Sequence, residues 1–195
     1  MRDVMPGFSY TAAMSIEFQA RHLDVSAFAQ AGATLRGNDL LSNYERLLEE
    51  CSGQGVDRQV HWEVRGAQQT DASGHVRVWL HLTAGVSLPL TCQRCLGPVD
   101  MDLEVVRDFR FVATEAQAEA EDEESEEDVL VLSRDFDLQA LVEDELLMAL
   151  PLVPRHAICP TEVKLAVQDA DFEAAQQAQP KPFAALAGLK TGRKD

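Results

Sequence analysis

Apolar and polar residues alternate through the middle of the chain. In RQVHWEVRG, Val60, Trp62 and Val64 alternate with polar neighbours. After the turn cluster DASG, Val76, Val78, Leu80 and Leu82 face one way, against His75, Arg77, Trp79 and His81. A period of two marks half-buried strands, and the pair predicts a hairpin. GVSLPLTC continues as an extended arm, with Pro89 tolerable at an edge or strand end. Beyond CQRCLGP, Met101, Leu103, Val105, Phe109 and Phe111 oppose Asp100, Asp102, Glu104 and Asp108. Two neighbouring antiparallel strands are therefore predicted, with a pair of thiols at their connection. AMSIEF, with Met14, Ile16 and Phe18 on one side, and VLVLS at 129–133 predict two further short strands.

Two stretches change period. In GNDLLSNYERLLEEC, Leu40, Tyr44, Leu47, Leu48 and Cys51 form one helical stripe, with Asn38 or Asp39 as cap and Gly53 and Gly55 beyond its end. Cys51 reads as a buried small hydrophobe. In DFDLQALVEDELLMALPLVPRH, Asp135 or Asp137 caps a helix whose buried face is Leu138, Leu141, Val142, Leu146 and Ala149, stopped by Pro151. Glu143 and Asp144 fall on a solvated face. Glu145 lies nearer the apolar one, able to accept from a strand or a cation. The expected fold is α+β: an antiparallel sheet of about five or six strands, with two main helices packed on one side. Residues 1–160 form that domain. Residues 161–195 are expected as a less ordered extension whose end carries Lys181, Lys190, Arg193 and Lys194.

Charge narrows the function. The 195 residues carry a formal net charge of −16, with 46% hydrophobic content. The run TEAQAEAEDEESEED has many like charges and little to bury, so residues 114–128 are expected as a mobile surface loop. Nucleic-acid affinity comes largely from Lys and Arg, so this balance disfavours direct contact with RNA unless a local basic patch exists. Arg94, Arg107, Arg110 and the basic tail are the candidates for one, but Arg107 shares its side with Phe109. No apolar run reaches membrane-spanning length and no secretory h-region is evident. Four unevenly spaced cysteines do not make a secreted disulfide framework. A cytoplasmic setting without membrane contact is expected.

The thiols carry the one candidate chemistry. Cys92 and Cys95 in C-x2-C, then His156 and Cys159 in H-x2-C, have the ligand types of a split structural zinc knuckle. The alternative is a pair of reduced turn cysteines and a loop histidine. A redox pair would want a helix after the motif, whereas a strand follows. Phosphate-binding loops, nucleophile elbows and zinc-protease motifs are absent. No catalytic residue and no small-molecule substrate is expected, and the protein is not read as an enzyme.

TCQRCLGPV, DLQALVEDELLMALPLVPRHAIC and KPFAALAGLK, in that order, resemble the bacterial YceD proteins, also called large ribosomal RNA subunit accumulation proteins. The resemblance extends thinly over most of the chain. Its signature positions here are Cys92, Arg94, Cys95, Glu143, Asp144, Glu145, Pro151, Pro154 and Cys159. It implies a role in synthesis, processing or accumulation of large-subunit ribosomal RNA, and carries over no catalytic residue. Two readings follow: a non-enzymatic factor docking on a basic protein of ribosome assembly or RNA processing, or an RNA-binding module built on a zinc knuckle. A metal-dependent processing enzyme ranks third, because it would need an open metal position.

Overall fold

A computed structural model describes residues 17–70, 74–123, 125–161 and 171–172 of the chain. The alternating segments form one five-stranded sheet in sequence order: β1 (Thr34–Leu40), β2 (Gln59–Thr70), β3 (Val76–Thr91), β4 (Pro98–Val112) and β5 (Asp128–Val131). Neighbours from β1 to β4 are antiparallel, and β5 lies parallel to the last residues of β4. Among the described residues four helices accompany them: α1 (Val25–Gln30), α2 (Glu45–Glu50), α3 (Glu115–Asp122) and α4 (Leu138–Met148). The expected α+β class and strand number hold. The chain divides into two compact units, residues 1–157 and 158–195.

Register explains the core. Val64, Leu82 and Arg107 share one row across β2, β3 and β4, and Trp62, Ala84 and Val105 share the next. With period-two alternation, that face holds Val60, Val64, Leu80, Leu82, Val86, Leu88, Leu103 and Phe109, all buried. Phe28 of α1 and Leu138 and Leu146 of α4 are fully buried as well. Each such side chain contributes about 1.5–3 kcal/mol by leaving water. Asp24 caps α1 by accepting from the Ala27 N–H at 3.0 Å, and Asp137 caps α4 by accepting from the Ala140 N–H at 2.9 Å.

Three expectations need correction. The helix read over 38–51 is confined to Glu45–Glu50, and Asn38 and Asp39 belong to β1 rather than to a cap. Residues 34–40 pair with β2, and the Trp62 ring occupies the space above Gly37, where a Cβ would come within 2.3 Å of it. Asp39 then accepts from Trp62 Nε1 at 2.8 Å and from the Tyr44 hydroxyl at 3.1 Å. Sheet pairing and these two bonds outweigh a helical stripe. The acidic run, expected as a loop, contains α3 instead. Thr114 accepts from the Gln117 N–H to cap it, and Ala118 is its buried residue. Ala149, expected on the buried face, is exposed just past α4. Met14, Ile16 and the basic tail residues lie outside the described residues.

Candidate metal centre and the acidic triplet

The connection from β3 to β4 is a tight loop around one sulfur. Cys92 is fully buried. Its N–H donates to the Gly97 carbonyl at 2.9 Å, and its carbonyl accepts from the Leu96 N–H at 2.8 Å. Leu96 adopts φ +58°, a left-handed conformation that costs a branched side chain about 1–2 kcal/mol. The loop is held from outside too, because the Gln93 N–H donates to the Pro154 carbonyl at 2.8 Å. That bond brings the segment after α4 against the cysteine turn.

Around this turn the four predicted ligands converge. The ligand atoms of Cys92, Cys95, His156 and Cys159 all lie within 4.8 Å of one another. Cys95 Sγ sits 3.4 Å from His156 Nδ1, and the His156 N–H donates to Cys92 Sγ at 3.5 Å. Zn–S bonds of about 2.3 Å and Zn–N bonds of about 2.0 Å at tetrahedral angles put donor atoms roughly 3.5–3.8 Å apart. The cluster is therefore compatible with a structural metal of the Cys3His kind. Burial pushes the Cys92 thiol up, but backbone N–H groups of Cys95, His156 and Arg94 aimed at its sulfur outweigh this and hold it well below the ordinary thiol range. Amides directed at a sulfur stabilise the thiolate, which is the form that binds metal.

The acidic triplet ties three elements together. Glu143 accepts from the backbone N–H groups of Arg46 at 2.9 Å and Leu47 at 3.3 Å, supplying from α4 the cap that α2 lacks in its own sequence. The Arg46 guanidinium bonds Glu143 at 2.9 and 3.1 Å and Asp144 at 2.5 Å. Glu145, only 7% exposed, accepts from Arg107 Nε at 3.2 Å. Glu143 and Asp144 therefore hold α4 to α2, where the sequence suggested a purely solvated face. Arg46 escapes sequence reading altogether, because its partners lie almost a hundred residues away. Pro151 follows α4, and the Pro154 carbonyl is the acceptor already described.

The arginines proposed as an RNA patch have different fates. Arg110 is 3% exposed, paired with Glu121 and with Glu127 at 2.8 Å, and donating to Ser125 at 2.6 Å. Arg107 is engaged by Glu145. Arg36, Arg46, Arg58, Arg65 and Arg77 also face carboxylates within 4 Å. Arg94 and Arg155, both exposed beside the cysteine cluster, have no carboxylate partner among the described residues.

Comparison with known proteins adds to this geometry. The family described as "Large ribosomal RNA subunit accumulation protein YceD" matches residues 80–190. A Haemophilus influenzae protein of that same name is 38% identical over 106 residues, covering 54% of this chain and 61% of the relative. The match thus spans less than two thirds of that relative's length. No solved structure matches. No helix among the described residues is long and apolar enough to cross a membrane.

Proposed function

The chain belongs to the YceD family of large ribosomal RNA subunit accumulation proteins, and on that premise we propose that it supports the synthesis, processing or accumulation of large-subunit ribosomal RNA without catalysis, by docking on a basic protein of ribosome assembly or RNA processing. One observation supports the choice of a protein over the RNA itself: two of the candidate cations, Arg107 and Arg110, are already engaged by carboxylates. Arg110 is sealed beneath carboxylates and Arg107 is held by Glu145, within a chain of net charge −16. Such a surface repels phosphate and steers basic partners toward it. Binding at physiological salt tests this. Purified chain is expected to retain total protein from large ribosomal subunits and to leave large-subunit RNA fragments unbound. Tight RNA binding with a steep salt slope would overturn it.

A second reading, direct RNA contact through a zinc-ordered clip, draws on exposed Arg94 and Arg155. Those two phosphate contacts alone give a salt slope of only about −2, and the basic tail, outside the described residues, would have to supply the rest. The first reading therefore prevails.

In both readings Cys92, Cys95, His156 and Cys159 hold a structural zinc ion. Four protein ligands close the tetrahedron and leave no position for substrate, so the metal fastens the segment after α4 to the β3–β4 turn. Elemental analysis of protein purified without added metal is expected to give about one zinc per chain, lost in a Cys92→Ser, Cys95→Ser variant. Below a tenth of an equivalent, the zinc assignment is wrong.

A further inference from the structure

β5 pairs only with residues 109–112 of β4, so residues 98–108 have no strand on their outer side among the described residues. Neither do the described turns and loops supply backbone hydrogen bonds to that side. A long row of free N–H and C=O groups is an adhesive edge, which folded proteins ordinarily shorten, bulge or cover. Residues 99–108 contain neither proline nor glycine, and their pairing with β3 runs without a bulge.

The side chains along this edge have one character. Asp100, Asp102, Glu104 and Asp108 project from the sheet face opposite the core, at alternate positions interrupted by Val106. Asp100 meets Arg58 and Asp108 meets His81, whereas Asp102 and Glu104 have no ion pair among the described residues. Val106 is 77% exposed. Where β5 takes over, the edge runs into a cavity of about 370 Å³ lined by four carboxylates, Asp108, Glu126, Glu127 and Asp128, together with Trp79, Val106 and Arg107, the last engaged by Glu145. Just before the other end, exposed Leu96 stands on the turn that the Gln93–Pro154 bond joins to exposed Leu152 and Val153.

We propose that residues 98–108 of β4 receive a protein partner by strand addition, and that the added segment is extended and carries lysine or arginine at alternate positions. Main-chain bonds along the edge supply affinity, and side chains at every second position supply selectivity. A bound strand repeats about every 6.8 Å on one face, the spacing at which Asp100, Asp102 and Glu104 recur. One more cationic side chain reaches the carboxylate-lined cavity beyond Val106. The edge of β1 is the weaker candidate, since it is shorter and its Arg36 is already matched by Glu63. The proposal rests on the protein-partner reading above and names where and how that partner binds.

The test uses full-length chain and a synthetic decapeptide alternating lysine with valine. Amide NMR reports the site and fluorescence anisotropy the affinity. The expected shifts concentrate at residues 98–108. Methylating alternate peptide nitrogens removes several main-chain bonds and is expected to weaken binding by about tenfold or more. An Asp102→Lys, Glu104→Lys variant, altered only at exposed side chains, is expected to lose a similar factor. Equal binding of the methylated peptide, shifts confined to another surface, or no binding would overturn the proposal, leaving the acids as mere protection of an edge. Large-subunit RNA shifting the same amides would overturn it too. Total protein from large ribosomal subunits separates the two levels. If wild type and the double-lysine variant retain it equally, strand addition at β4 fails and the protein-partner reading stands. If neither retains it, both fail.

Discussion

Glu145 sits under opposing influences. Burial raises its carboxyl, Arg107 lowers it, and the nearby Asp128 and Asp144 raise it again, leaving it above the ordinary value of 4.5. A raised folded value means the native state holds this proton more tightly than the unfolded chain. Its stabilising contribution is thus fully present below 4.5 and is lost as pH rises through the folded value. In urea denaturation, the stability of Glu145→Gln relative to wild type is expected to improve as pH rises from 4.5 to neutrality. A difference flat across that window would contradict this environment. The inward placement of Glu145 was legible from its spacing of four after Leu141, although Ala149, the other marker of that face, is exposed. Its partner was not, because Arg107 on an apolar face looks in sequence like a disruption of alternation.

Helix α3 shows what composition conceals. Its acidic run reads as a repelling, unburied loop, yet Thr114 caps it and Arg110 of β4 draws Glu121 and Glu127 onto the sheet. The signal was divided between two segments, and neither half reveals the other. Replacing Glu121 and Glu127 together by glutamine leaves the buried Arg110 charge with neutral acceptors and no counter-charge, a loss of about 3 kcal/mol in chemical denaturation. An unchanged midpoint would mean that the pairing does not hold α3 in place. β1 was missed for a different reason. Gly37, Asn38 and Asp39 resemble a helix start, and only pairing with Trp62 and its neighbours makes them a strand. The β2, β3 and β4 segments were legible because long alternation has few competing explanations.

For the molecule as a whole, the excess of acid is organised rather than diffuse. Paired arginines hold α4 to α2 and α3 to the sheet, while Asp102 and Glu104 have no ion pair among the described residues. The cysteine cluster was legible as ligand types in order, since thiol and imidazole spacing survives in sequence. Its convergence depended on the hydrogen bond between Gln93 and Pro154, which no local pattern encodes. The functional division between protein and nucleic acid is decided most directly in cells. Ultraviolet crosslinking, followed by purification of the chain under denaturing conditions and labelling of attached RNA, is expected to recover no large-subunit ribosomal RNA above an uncrosslinked control. Abundant ribosomal RNA joined to peptides containing Arg94 or Arg155 would contradict a chain that acts through a protein partner.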